Sequence, residues 1–326
     1  MVSAMPRDVG LPSVSVDAPL IESQLQQHWD IPHATWFTLM GIGGGIFFLA
    51  RLLRLESRLG IWLGLPVVDL VSFVVIGVGG LILIWSLGRP RRFLRAVLRP
   101  QTSWISRGAI ADFVFIVVGG GLVLPGLKLG GATPFAWLPW QPSPTNAPGK
   151  ALEVIALLSA AVVIFYAGQV LADSTAIPYW RSPAIPIQFV LSSLAISVGV
   201  VMLMETLNDR PIGAGQFWLL LGFLALLFAS IVWHLRTKTT APGKAESLEQ
   251  LLRGRFRSAF LGGVVAAGTI LPAIFALIGV VSAPARDAMG IMALVCTLAA
   301  GFALRLITLR VGIYPPVHST IRLPKR

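Results

Sequence analysis

The sequence predicts an all-α integral membrane protein with eight transmembrane helices, and three observations lead there. Hydrophobic residues make up 55% of the 326 positions and charged residues 12%, about half the charged share of an ordinary soluble domain. Apolar runs of about 20 residues recur along the whole chain, each long enough to cross about 30 Å of hydrocarbon. None of them alternates apolar and polar positions over about 10 residues, the pattern a membrane β-barrel requires. The net charge of +12 lies in loops beside these runs, so it points to membrane topology and lipid headgroup contact and away from nucleic acid. A single cysteine, Cys296 in the last run, cannot form an internal disulfide, complete a zinc site or hold an iron–sulfur cluster.

Residues 1–30 are polar and slightly acidic, and are expected to form an extramembrane arm lying on the surface or on a partner. They lack the basic and apolar regions of a cleaved leader, so the first span is expected to direct its own insertion. The membrane domain is expected over residues 31–316, followed by a basic tail, 317–326. Its spans are predicted at about 33–53, 61–87, 107–127, 151–172, 184–205, 213–235, 257–281 and 287–309. Pro32 suits the first turn of the first span. Gly41, Gly43, Gly44 and Gly45 give that span a surface for close helix packing, as Gly119, Gly120 and Gly121 do for the third.

Between the second and third spans the chain reads LGRPRRFLRAVLRPQTSWISRG, with Arg89, Arg91, Arg92, Arg95, Arg99 and Arg107 crowded at one membrane face. The stretch 130–149 is rich in Pro, Gly and Asn and carries Trp137 and Trp140, which suits an interfacial loop in an aromatic belt. Eight spans bring both termini to one face. That face holds 19 of the 26 Lys and Arg residues and the opposite face 7, so the positive-inside rule predicts cytoplasmic termini in the inner membrane.

Ionisable groups inside hydrocarbon are costly and mark candidate functional positions. Asp69, about a third of the way along the second span, and Asp112, one to two turns into the third, lie deepest. Glu153, Asp173 and Glu205 mark span ends, where hydration or pairing with a loop arginine is expected. His33 opens the first span and His234 closes the sixth. A bis-histidine haem needs two imidazoles facing each other inside a bundle, and these are boundary residues, so no haem or metal is expected in this chain. Tyr166 places a phenol inside the fourth span, where it needs a hydrogen-bond partner.

Four segments, in order, resemble the NrfD/polysulfide-reductase membrane-subunit family. They are AxWFxLMGIGGG in the first span, the LGRP turn with the S-W-x-S-R-G helix start, the YAGQVLADSTAIPYWRSPAIPIQFVLSSLAISVG stretch at 166–199, and the closing LRLITLRVGIYPP. The resemblance implies two four-helix bundles and a quinone-reactive membrane anchor without a redox centre of its own. It implies ubiquinone or menaquinone as the bound cofactor. A ferredoxin-like iron–sulfur subunit docks on it and serves a molybdenum or tungsten pterin catalytic subunit, so those clusters and pterins reside in the partners.

By the same resemblance the quinone contacts are His33, Trp36 and Tyr166. The family pattern at the first helix is an asparagine followed three residues later by a histidine. Here His33 stands one turn earlier with Trp36 after it, which keeps an imidazole on the same helix face. Asp112, Asp173 and Asp69 are candidate proton relays, and the six arginines of the loop are the candidate docking surface. A secondary transporter or channel is the alternative from another class, although no internal repeat is visible. A structural anchor with a degenerate quinone site is the other.

Overall fold

The computed structural model describes residues 21–86, 99–237 and 241–317. Arg89, Arg91, Arg92 and Arg95, the arm before residue 21 and the tail from residue 318 lie outside the described residues. Within them the spans are helices: α1 (Ile31–Leu52), α2 (Val67–Ser86), α3 (Trp104–Gly126), α4 (Ala147–Ala172), α5 (Ala184–Leu207), α6 (Ala214–Arg236), α8 (Ala259–Val281) and α9 (Arg286–Arg310). A short extramembrane helix, α7 (Pro242–Leu252), separates α6 from α8. All eight long helices have the length and apolarity to cross a membrane.

One predicted boundary is wrong. The second span was expected from residue 61, but 61–66 form a hairpin of β2 (Ile61–Trp62) and β3 (Leu65–Pro66). Leu63 and Gly64 turn through positive φ at 51° and 78°, as a two-residue hairpin turn requires. A Cβ on Gly64 would meet the Gly126 carbonyl at 1.9 Å, so this turn also packs against the end of α3. Asp69 therefore sits in the first turn of α2 and not a third of the way along it.

The helices pack as two groups of four, α1–α4 and α5, α6, α8 and α9, joined where α1 and α4 meet α5 and α1 meets α9. α1 is the hub: 78% of its apolar window is buried inside the protein, against 33% for α2, α6 and α8. Its glycines explain how one helix serves several neighbours. A Cβ on Gly41 or Gly45 would strike Ser193 or Ser197 of α5, one on Gly43 would strike Ile76 of α2, and one on Gly44 would reach Ile164 and Ala160 of α4. In α3, Gly119 packs on Phe73, whereas Gly120 and Gly121 have open space around them, so only the first of those three is a packing position.

Local signals set the helix starts. Ser103 accepts the Ser106 N–H through its hydroxyl, and Asn146 accepts the Gly149 N–H, so α3 and α4 begin on side-chain caps. α3 widens into a π-turn at Phe115–Gly119, and α8 is π-helical over Ala259–Ile270. In α8 the Thr269 hydroxyl donates to the Val264 carbonyl five residues back, at 3.1 Å.

The segment before α1 and the segment after α9 are clipped together at one face. β1 (Gln24–Leu25) runs antiparallel to β4 (Ile313–Tyr314), with Gln24 opposite Tyr314 and Leu25 opposite Ile313. Gln26 extends this clasp, donating its side-chain amide to Leu309 O at 3.1 Å and to Trp29 O at 2.8 Å.

Candidate functional site

Three helices place polar groups together near the terminus-bearing face of the first bundle. On α1, His33, Trp36 and Phe37 share one side at i, i+3 and i+4. On α3, Gly108 and Asp112 lie one turn apart, and α4 carries Tyr166 toward its C-terminal half. The Tyr166 hydroxyl donates to Asp112 Oδ2 at 3.2 Å. Its ring stacks on Trp36 at 6.0 Å between centroids and 24° between planes. Gly108 is what permits this approach, because a Cβ there would fall 2.2 Å from a carbon of the Tyr166 ring.

The atoms around Tyr166 are unevenly satisfied. Tyr166 and Trp36 are fully buried. Yet His33 Nδ1, Trp36 Nε1 and Asp112 Oδ1 are all enclosed without a hydrogen-bond partner among the described residues. Most buried polar groups find partners, so Trp36 Nε1 and Asp112 Oδ1 beside Tyr166, and His33 Nδ1 one turn before Trp36 on α1, call for an explanation. An acceptor such as a carbonyl suits Trp36 Nε1 and a protonated imidazole nitrogen; Asp112 Oδ1 accepts from any donor.

Trp29 roofs this region, and the sequence reading missed it. Its backbone N–H donates to Gln26 Oε1 at 2.6 Å, which fixes the turn before α1. Its ring lies 4.9 Å from His33, 6.1 Å from Phe37 and 5.8 Å from Trp180. Trp180 in turn donates to Thr308 O of α9 at 2.8 Å. The available signal was Trp29 standing four residues before His33, one helical turn away if the turn continues upward. In the sequence Gly108 stands out only as the last letter of the S-W-x-S-R-G helix start.

The other candidates are placed apart from this group. Asp173 caps α4 and is exposed, beside a recess of about 210 Å³ that Thr102, Ser103 and Ser174 also line. Asp69 lies at the opposite end of the bundle, fully buried in an ion pair with Arg51 that both carboxylate oxygens share. Arg51 also donates to Pro142 O at 2.5 Å and stands 3.8 Å from Glu153. Glu153 pairs with Arg54 at 2.6 Å, and that hydrogen bond raises the Arg54 guanidinium above its usual value. Glu205 accepts from Gln216 at 2.7 Å.

His234 belongs to the second bundle, its ring 4.9 Å from Tyr179, whose phenol is pushed up by burial. Of the loop arginines inside the described residues, Arg99 is exposed. Arg107 instead folds back, donating to Pro100 O at 2.7 Å and Gln101 O at 2.9 Å and lying over the Trp104 ring. It shapes its own turn, which is a different job from projecting toward a partner. Among the described residues no three His, Cys, Asp or Glu side chains are grouped to hold a metal ion.

Comparison with known proteins adds to this geometry. A family model described as Polysulphide reductase, NrfD, matches residues 20–315. Protein NrfD of Escherichia coli (strain K12) is similar over 278 residues at 26% identity, a stretch that covers 75% of this chain and 82% of that protein.

Proposed function

From the premise that this chain belongs to the NrfD family, a family of membrane subunits of redox complexes, we propose that it exchanges electrons and protons with the quinone pool. In this reading a docked iron–sulfur subunit, serving a molybdenum or tungsten pterin catalytic subunit, passes electrons to or from a quinone held between His33, Trp36 and Tyr166. The observation that carries the reading is the pair of unpaired buried groups beside Tyr166, Trp36 Nε1 and Asp112 Oδ1, with a third, His33 Nδ1, one turn before Trp36 on α1.

The chemistry asked of these residues is modest. Quinone plus two electrons and two protons gives quinol, so each carbonyl needs a donor that is reprotonated after use. The Tyr166 O–H now points to Asp112. When Asp112 carries a proton the direction reverses: Asp112 donates to Tyr166, and Tyr166 donates to a carbonyl. His33 or Trp36 donates to the other carbonyl, and of these two only the imidazole is a group that can also release and regain a proton. In this reading the proton for Asp112 comes from the water side of α3 and α4, where Asp173, Ser103 and Ser174 line a recess. Asp69, paired with Arg51 at the other end of the bundle, has no part in this relay. The isoprenoid tail of such a quinone needs only lipid.

His33→Ala and Tyr166→Phe are expected to lower quinone-coupled turnover by at least about 100-fold, within the range removed with a general acid–base group. Co-purification of the partner subunits is expected to be unchanged. Wild-type turnover in both variants sinks the proposal.

Docking is proposed on the terminus-bearing face, where Arg89, Arg91, Arg92, Arg95 and Arg99 supply positive charge to an acidic surface of the iron–sulfur subunit. Reversing Arg95 and Arg99 to Glu is expected to release the soluble subunits from membranes at moderate salt. Full retention of those subunits points to headgroup contact as the role of the loop.

A further inference from the structure

Arg305 is a cation in the membrane interior whose hydrogen-bond partners are all neutral. It lies on α9, 1% exposed, five residues before the helix ends. Its Nη1 donates to Ser192 Oγ at 3.1 Å and Gly301 O at 2.9 Å, and its Nη2 donates to Ser193 Oγ at 2.6 Å and Phe189 O at 3.1 Å. Both serines donate their own hydroxyl protons to Phe189 O, at 3.1 and 2.7 Å, which leaves their lone pairs for the guanidinium. α1 makes the space: a Cβ on Gly41 would come within 2.1 Å of Ser193 Oγ and 3.0 Å of Arg305 Nη2.

No carboxylate is within ion-pair distance of Arg305 among the described residues, and the acids of the packed helices are committed elsewhere. Asp112 is engaged by Tyr166, Asp69 and Glu153 by Arg51 and Arg54, and Glu205 by Gln216. Asp287 stands at the far end of α9, where it accepts from Thr206. A guanidinium stays protonated in proteins, and burying one without a counter-ion is costly. In a membrane such a group points to a use for its charge.

The surroundings show where that charge acts. The Arg305 Cζ lies 4.9 Å from the Phe189 ring, and Phe189 lies 5.9 Å from Phe37. Phe37 is 4.1 Å from Trp36, which stacks on Tyr166. The path from the guanidinium to the Tyr166 region is thus buried aromatic material. Neither water nor salt screens a charge along it as at a surface.

We propose that Arg305 is a specificity-determining residue that biases the His33–Trp36–Tyr166 site toward a quinone ring carrying negative charge over its neutral counterpart. This inference rests on the quinone reading above. The test uses the full-length chain purified in mild detergent at pH 7 and two probes: 2-hydroxy-1,4-naphthoquinone, which is ionised there, and its methyl ether, which cannot ionise.

The ionised probe is expected to bind at least about tenfold more tightly, equivalent to about 1.4 kcal/mol. Arg305→Gln is expected to abolish the preference while leaving methyl ether affinity unchanged, and Arg305→Lys to keep part of it. If Arg305→Gln does not fold, the wild-type preference is measured between low and high salt. A buried charge predicts a constant ratio, and a ratio that collapses assigns the effect to exposed arginines and overturns the proposal. Equal affinities in the wild type overturn the role of Arg305 alone. Failure of both probes to bind, or undiminished binding of both to Tyr166→Phe, overturns the quinone site and this inference with it.

Discussion

Tyr166 is held on three sides by residues of different kinds: Asp112 fixes its hydroxyl, Trp36 faces its ring, and Gly108 vacates the space its ring fills. Of these, Gly108 offers the sharpest test at the scale of a single residue, because it bears no chemistry. Gly108→Ala puts a methyl group where the Tyr166 ring now lies, and overpacking of this kind costs about 1–3 kcal/mol. The expected outcome is a protein that still assembles but whose quinone-coupled turnover falls about tenfold or more, read in the same assay as Tyr166→Phe. Unchanged turnover means that the ring moves without consequence and that its position is not part of the site. The chemistry-bearing residues were legible in the sequence because a phenol, an imidazole and a carboxylate inside apolar spans stand out one by one. Gly108 and Trp29 were not, because a missing side chain or an aromatic at a span boundary gains meaning only from what it touches.

At the scale of elements, buried charge ties helices together. Arg51 of α1, Asp69 of α2, Glu153 of α4 and Arg54 after α1 form one network at the end of the bundle opposite Tyr166. Removing one member of a buried pair strands the other, at about 3–5 kcal/mol, whereas replacing both by apolar groups is often neutral. Asp69→Asn is therefore expected to lower thermal stability in detergent markedly, and Arg51→Met with Asp69→Leu to recover most of it. A double variant no better than the single one means the network does more than hold α1 against α2. Sequence reading placed Asp69 among proton relays because it saw an acid inside a span. Arg51 sits in a span's last turn, and only packing reveals that the two meet.

At the scale of the whole molecule, the eight spans and the β1–β4 clasp bring the segments before the first span and after the last, at 24–25 and 313–314, to one face. Counted on the sequence, setting aside the buried Arg51 and Arg305 still assigns 18 cations to the terminus-bearing side of the spans against 6 on the other. A reporter that works only in the cytoplasm is expected to be active when fused after residue 326 and inactive when inserted near Trp137. The reverse pattern would place the docking face, and the uptake of protons for Asp112, on the outer side. That outcome would also mean that the arginine loop serves a partner at the expense of topology.

What the sequence by itself determined is the membrane class, the number of spans and, except for the hairpin at 61–66, their limits to within a few residues. It did so because hydrocarbon thickness imposes a length and a polarity that a chain must display locally. It also displayed, in the order of its segments, the family to which the chain belongs. Only the tertiary structure decided which ionisable groups meet. Asp112 pairs with Tyr166 and Asp69 with Arg51, each across two helices, while Arg305 bonds to serines of α5 and to no acid among the described residues. The spacing of residues along one helix sets which face a side chain occupies, but the partner on that face is chosen by how the helices pack.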